Sequence, residues 1–303
     1  MDRKIIVGHD GTDRGHDAMA LGRVLAEATG AELVAAHVYE GAKIPPPTYA
    51  GWASFMREHA EKTLSDALGQ QGGVRQEVVE SSSPPRGLHD LAANEHADLI
   101  VVGSSHHAGL GRVLAGSVAE RVLHGAPCGV AVAPAGFRTN AGGLGLIGVG
   151  FDGMPEAEAA LFRAADLARA ASARLRLLAV VEPPELALGS KGPTFAGAKD
   201  LAAAREELMR SELDRGLALI PDDIEASGKL IIAGTETLAD QEDIDAMVVG
   251  SRGYGPLRRV MLGSVSTRLV RNASCPVIVY PRSATSEEAG PREAVGEAAG
   301  ATP

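Results

Sequence analysis

Short apolar segments alternate with longer stretches of helical periodicity along most of the chain. An apolar run lies within residues 4–10, apolar side chains then recur at a spacing of three and four over residues 18–25, and a second apolar run covers residues 33–39. A compact β-branched run is typical of a strand, and the three-and-four spacing is typical of an amphipathic helix. The opening of the chain therefore predicts strand, helix, strand.

The same pattern occurs a second time, because the second half of the chain repeats the first. The repeat aligns Asp10 with Asp152 near its start and Gly103 with Gly250 farther along. Self-similarity over about 140 residues corresponds to a whole domain rather than to a small structural repeat. We therefore predict two tandem domains with one architecture.

Changes in composition give the boundaries of these domains. Residues 135–143, AGFRTNAGG, interrupt the apolar pattern and are interpreted as a linker, and residues 284–303 lack bulky apolar side chains, which is typical of a disordered tail. The predicted domains are residues 1–138 and residues 144–283.

The strand segments carry apolar side chains at nearly every position, which indicates strands that are buried on both faces. Such strands form parallel sheets covered by helices, with right-handed crossovers. The predicted fold class is α/β, with two doubly wound domains of about five strands and about four helices each. Only seven positions lead from Leu238 to Asp245, against ten from Leu88 to Asp98, so the third helix of the second domain should be short or partly unwound.

Composition narrows the functional classes. The net charge of -10 and the pI near 5.4 disfavour a general nucleic-acid binder, because phosphate backbones attract basic surfaces. Two cysteines cannot form a disulfide framework, and no apolar run approaches the ~18 residues of a membrane span. The first residues lack the apolar core of a signal peptide, so we expect a cytoplasmic protein without membrane or nucleic-acid partners.

One strand of the second domain opens into a loop with regularly spaced glycines. The segment VVGSRGYGPLRRVMLGSVS, residues 248–266, places Gly263 and Ser264 at a predicted helix start, where unpaired amides can bind a phosphate or the serine can cap the helix. Residues 250–280 contain five arginines and no acidic residue. This local charge favours an anion site, and a solvated basic helix above an ordinary loop is the alternative.

Competing motifs fit the sequence less well. The P-loop pattern is absent, and the dinucleotide-like GVGFDG places Gly148 and Gly150 inside a strand instead of in the turn that follows it. Surface positions explain the histidines better than a metal site does, and core packing explains Cys128 and Cys275 better than redox chemistry does. The sequence predicts neither a catalytic residue nor a metal ligand.

The glycines of this loop follow the spacing G-x2-G-x9-G-[ST]. A VVG strand precedes the loop, and a helix and the strand CPVIVYP follow it. This pattern resembles the universal stress protein family in its tandem two-domain form. The resemblance covers about residues 3–282. It implies the strand order 3-2-1-4-5 in each domain, pairing through the fifth strand, and ATP at the carboxyl ends of the strands. It also implies a regulatory role in stress or dormancy.

Carried over one residue at a time, the resemblance implies a nucleotide site in each half. The aspartate would face the ribose or adenine, the valine would offer main chain to the adenine, and the glycine loop would hold the triphosphate. The set in the second half is Asp152, Val180, Gly250, Ser251, Arg252, Gly253, Gly263, Ser264, Val265 and Ser266. The set in the first half is Asp10, Val38, Gly103, His106, Gly116 and Ser117. His106 replaces the second glycine of the motif, and its ring could block the ligand or contact the phosphate.

The expected ligand is therefore ATP, with Mg²⁺ as a candidate companion ion. We expect a homodimer or an internal pairing of the two domains, and at most weak ATP hydrolysis, because no base or nucleophile accompanies the glycines, serines and arginines of the loop. An ATP-using hydrolase or transferase, and a nucleotide-free dimerisation module, are the alternative functions.

Overall fold

The computed structural model describes most of both domains. The described residues are 3–40, 51–69, 72–105, 108–109, 111–139, 141–183, 198–241, 243–251 and 262–281. Three residues of the predicted sites, His106, Arg252 and Gly253, lie outside the described residues, as does the predicted tail of residues 284–303.

The first half alternates strands and helices from its first described residues. Its elements are β1 (Lys4–Gly8), α1 (Asp13–Thr29), β2 (Glu32–Glu40), α2 (Trp52–Leu68), β3 (Val74–Ser81), α3 (Pro84–Asn94), β4 (Leu99–Gly103), α4 (Ser117–Leu123) and β5 (Gly129–Ala133). A 3-10 turn over Phe137–Thr139 follows in the predicted linker.

The second half repeats this order. Its described elements are β6 (Leu146–Gly150), α5 (Pro155–Ala171), β7 (Arg174–Val181), α6 (Ala198–Ala218), β8 (Ala226–Ile232), a 3-10 turn (Thr235–Asp240), β9 (Ala246–Gly250), α7 (Ser264–Asn272) and β10 (Val277–Tyr280). The 3-10 turn stands where α3 stands in the first half, which confirms the prediction of a shortened third helix.

All described strands belong to one sheet of ten strands. Its order is β3-β2-β1-β4-β5-β10-β9-β6-β7-β8, so each half has the order 3-2-1-4-5 and is parallel within itself. The halves join where β5 and β10 pair antiparallel, with Val132 opposite Val277 and Val130 opposite Val279. The predicted α/β fold class and strand order are confirmed.

The two long helices that follow β1 and β6 begin with clear local signals. Thr12 caps α1, and its side chain accepts a hydrogen bond from the Arg14 amide. Pro155 is the first residue of α5, and Glu156 and Glu158 lie in its first turn. Carboxylates in this turn are stabilised by the positive end of the helix dipole. Each of these helices begins within five residues of the end of a central strand.

The core lies on both faces of the sheet, as the nearly continuous apolar strands predict. In β1, Ile5 and Val7 pack into one buried cluster and Ile6 packs into the cluster on the opposite face. The thiols of Cys128 and Cys275 are buried, and burial raises the pKa of each to about 12. Both cysteines therefore remain protonated packing residues at neutral pH.

The segment that connects the halves is fixed to α1 by a buried carboxylate. Asp17 is fully buried and accepts hydrogen bonds from the amides of Gly136 at 2.8 Å and Arg138 at 3.1 Å. The Arg138 guanidinium also approaches Asp17 at 3.4 Å and Asp13 at 3.0 Å. The described part of the linker is thus ordered against the first half.

Within the described ranges, no helix combines the length and the apolar character needed to cross a membrane.

Candidate functional site

Each half of the sheet has a cleft at the carboxyl ends of its central strands. The neighbouring central strands are β1 and β4 in the first half, and β6 and β9 in the second. After two such strands the chain continues to opposite faces of the sheet, which opens a crevice between them in doubly wound sheets. The cleft of the first half has a volume of about 760 Å³. The cleft of the second half has a volume of about 430 Å³.

Most of the described residues of the two predicted sites line these clefts. In the first half they are Asp10, Val38, Gly103, Gly116 and Ser117. In the second half they are Asp152, Val180, Gly250, Ser251, Gly263, Val265 and Ser266. Ser264 is the first residue of α7 at the same edge. The fold therefore brings each set together, and nucleotide binding by these residues stays a prediction.

Val38 and Val180 present main chain to the clefts. Ala36 accepts a hydrogen bond from the amide of His9 at 2.9 Å, and Leu178 accepts one from the amide of Phe151 at 2.9 Å. Main-chain groups two residues apart point to the same side of a strand. Those of Val38 and Val180 therefore point past the ends of β1 and β6, into the space where an adenine edge could pair.

Asp10 and Asp152 adopt related turn geometries at the mouths of the clefts. Oδ1 of Asp10 accepts hydrogen bonds from the amide of Thr12 at 3.0 Å and from its hydroxyl at 2.6 Å. Oδ1 of Asp152 accepts one from the amide of Met154 at 3.0 Å. Both residues are exposed, and a carboxylate oxygen accepts hydrogen bonds, so contact with a ligand hydroxyl stays a prediction.

Gly103 and Gly250 have a packing role at the ends of their strands. Neither has a left-handed backbone. A Cβ added to Gly103 would overlap the carbonyl oxygen of Arg14, and one added to Gly250 would overlap that of Glu156. These glycines therefore bring the first turns of α1 and α5 against the strand ends, and so set the width of the clefts.

Helix starts supply main-chain donors to both clefts. Gly116 and Gly263 are the caps, with extended ψ angles of 177° and 178°, so Ser264 is the first helical residue and not the cap. The first helical hydrogen bonds run from Glu120 to Gly116 and from Thr267 to Gly263. The three amides before each of these donors have no acceptor within the helix, and such amides favour anions.

The cap of α7 has an additional hydroxyl contact. Ser266 is buried, and its Oγ accepts a hydrogen bond from the amide of Gly263 at 2.8 Å. The side chain of Ser266 therefore fixes the start of α7, and its amide is the group left for the predicted contact with the triphosphate. Ala119 occupies the matching position in α4 and supplies no hydroxyl.

The serine that follows each strand-end glycine is buried in both halves. Oγ of Ser104 donates to the carbonyl of Ala133 at 2.7 Å and accepts a hydrogen bond from the amide of Leu114 at 3.3 Å. Ser251 is also buried, and its Oγ has no hydrogen-bond partner among the described residues. The hydroxyl of Ser251 is thus a candidate contact for the second cleft.

Sequence reasoning missed a histidine cluster beneath the first cleft. His9 is buried, and its ring lies 4.9 Å from that of His16, while Nδ1 of His37 lies 2.9 Å from the carbonyl oxygen of His9. Burial, followed by the charge of His16, lowers the pKa of His9 to about 4, so His9 is neutral near pH 7. The signal was the pair VGHDG and VGFDG, in which Phe151 replaces this histidine.

The glycine loop of the first half is bound to the second half. The amides of Val113 and Ala115 each donate at 2.7 Å to carbonyls near the end of α7, on Ala273 and Val270. Nη1 of Arg112 lies 2.6 Å from the carboxylate of Asp240. The far end of α7 thus supports the loop of the first cleft, while its start lines the second.

Known proteins resemble both halves. The model of the universal stress protein family matches residues 1–134 and 145–281. Universal stress protein Rv2005c of Mycobacterium tuberculosis is 29% identical over 299 residues, covering 92% of this chain and 97% of that protein. A universal stress protein of Thermus aquaticus is 32% identical over 137 residues, covering 43% of this chain and 97% of its own length.

Solved structures share the fold of the whole chain. A universal stress protein of Archaeoglobus fulgidus aligns with a TM-score of 0.60 and 18% identity, covering 92% of this chain and 98% of that one. A putative universal stress protein of Pseudomonas aeruginosa aligns with a TM-score of 0.59 and 16% identity, covering 93% and 94%. At these identities the similarity supports the fold alone.

Proposed function

Because the chain belongs to the universal stress protein family along both of its halves, we propose that it binds one ATP in each half and acts in the stress response through binding and conformational signalling. The cytoplasm is the proposed compartment. We also propose that the internal pairing of β5 with β10 takes the place of a pairing between two chains.

The observation that carries this proposal is the arrangement of groups around the second cleft. Main chain of Val180 lies at one end, the carboxylate of Asp152 at the mouth, and the start of α7 at the other end. An adenine edge, a ribose hydroxyl and a chain of phosphates need these three kinds of partner in this order. The first cleft has the same arrangement, with Val38, Asp10 and the start of α4.

The side chains around the clefts favour binding over turnover. The described lining of both clefts contains no cysteine, lysine or tyrosine. The buried serines after β4 and β9 have no neighbouring general base among their described hydrogen-bond partners. An activated nucleophile needs a base within hydrogen-bond reach, so the proposed role is that of a switch instead of an enzyme.

The helix α7 gives the proposed signalling a structural route. Its first residues line the second cleft, and its last residues hold the loop of the first cleft through main-chain hydrogen bonds. A ligand that shifts or orders α7 therefore acts on both clefts. This coupling requires that the ligand binds the two arrangements of α7 with different affinities.

Heat denaturation of the purified protein, followed by mass spectrometry of the supernatant, tests the proposal. We expect adenine nucleotide to be released from the wild type, and added ATP with Mg²⁺ to raise the melting temperature. Gly263→Trp places an indole at the start of α7 and should reduce the released nucleotide. Absence of nucleotide together with an unchanged melting temperature would contradict ATP binding and favour a nucleotide-free dimerisation module.

A further inference from the structure

The two clefts differ in charge at one matched position of the helix that follows the central strand. Arg14 is the second residue of α1, and Glu156 is the second residue of α5. Both residues line their clefts, and the repeat aligns them with each other. Nearly identical backbone positions thus carry opposite charges.

Both side chains start beside the glycine at the end of the neighbouring strand. A Cβ built on Gly103 would lie 2.9 Å from the Cβ of Arg14, and one built on Gly250 would lie 3.1 Å from the Cβ of Glu156. Those glycines begin the loops that lead to α4 and α7. Arg14 and Glu156 are therefore placed at the same end of each cleft as the helix amides, which is the end suited to phosphate.

The arginine in the loop of the first half does not replace Arg14. Nη1 of Arg112 lies 2.9 Å from the carbonyl oxygen of Asn272 and also pairs with Asp240, so the contacts of Arg112 lie in the second half. Among the described residues that line the first cleft, Arg14 is the only arginine or lysine. Its side chain is 28% exposed, and Nη1 lies 4.0 Å from Asp17.

The acidic neighbours of Arg14 are already engaged with other groups. Asp17 accepts hydrogen bonds from the amides of Gly136 and Arg138, and the guanidinium of Arg138 contacts both Asp17 and Asp13. Arg138 therefore offsets one of these two negative charges, and Nη1 of Arg14 lies 4.0 Å from the carboxylate of Asp17.

We propose that Arg14 is the residue that makes the first cleft prefer a nucleoside triphosphate to the monophosphate, by donating hydrogen bonds to the terminal phosphates. The inference rests on the proposed function, because it assumes that the first cleft holds an adenine nucleotide. In the second cleft Glu156 occupies this position. Arginine donors bind phosphate oxygens in a charge-assisted and directional way.

Photolabelling of the full chain, with the label quantified in each half, tests the inference. The full chain is labelled with 8-azido-ATP in EDTA, ATP or AMP is added as competitor, and the labelled peptides are assigned to the first or the second half. Arg14→Met keeps the aliphatic stem and removes the charge. We expect it to weaken competition by ATP in the first half about tenfold and to change competition by AMP less than about twofold.

Two variants serve as matched controls. Arg14→Lys keeps a positive charge and should restore most of the preference for ATP, whereas Glu156→Gln should leave labelling of the first half unchanged. Equal ATP competition in Arg14→Met and wild type would overturn the inference while the proposed function stands. Labelling confined to the second half would overturn the inference together with the ATP site proposed for the first half, and would leave the site of the second half standing. Absence of labelling in both halves would overturn the proposed function as well.

Discussion

The two halves of the chain share a backbone but differ in the side chains beneath and beside their clefts. In the first half His9, Arg14 and Asp17 occupy three positions on and beside α1. In the second half the matching residues are Phe151, Glu156 and Ala159. Glycines at the strand ends and helix caps are the same in both. The shared residues build the clefts, and we propose that the differing residues determine what each half binds.

The largest effect should come from the residues that the halves share. Gly103→Val and Gly250→Val would force a side chain into the main chain of α1 or α5, so each should lower the free energy of unfolding by about 4 kcal/mol. Urea denaturation measures the loss. Gly142→Val is the control, because a Cβ there would meet nothing within 4 Å. A cost below about 1 kcal/mol at either strand-end glycine would contradict the packing role.

A second prediction concerns the buried carboxylate that only the first half has. Asp17→Ala copies Ala159 and leaves the amides of Gly136 and Arg138 without their acceptor. We expect a loss of about 3 kcal/mol in unfolding free energy, measured by denaturant titration. Asp13→Ala removes an exposed partner of the same arginine and should cost about 0.5 kcal/mol. Similar losses in both variants would show that the burial of Asp17 does not contribute to the free energy of unfolding.

A third prediction concerns pH. The folded state lowers the pKa of His9 from the ordinary 6.5 to about 4, so the unfolded chain takes up this proton at a higher pH than the folded chain does. The contribution of His9 therefore makes the protein less stable as pH falls from about 6.5 to about 4. His9→Gln should flatten this part of the stability curve. His59→Gln, at an exposed position of α2, should leave it unchanged.

The smallest effect is expected where the halves touch. Arg112→Met removes the pair with Asp240 and the bond to Asn272, both near the surface, and should cost about 1 kcal/mol or less. Hydrogen exchange of the Val113 and Ala115 amides should become faster, because Arg112 helps to hold this loop against the end of α7, where the acceptors of both amides lie. Unchanged exchange at both amides would mean that Arg112 does not hold the loop.

The sequence was sufficient to predict features that depend on local pattern. The duplicated unit, the parallel strands and the shortened third helix of the second half all follow from periodicity and spacing. Each depends on neighbours along the chain, which is why residue patterns carry the information.

Contacts between distant segments could not be predicted in this way. Asp17 binds the linker at Gly136, Arg112 reaches Asn272, and Gly250 packs against the main chain of Glu156. Nothing in the local pattern of these residues specifies a partner so far along the chain. The cluster around His9 had a local signal, since a buried strand end carries histidine in one half and phenylalanine in the other.

Native mass spectrometry of the full chain with added ATP tests the central claim most directly. We expect two nucleotides per chain in the wild type, one in Gly263→Trp, and none when Gly116→Trp is added. A chain that retains no ATP at any concentration tested, or a double variant that still binds two, would contradict the assignment of the clefts.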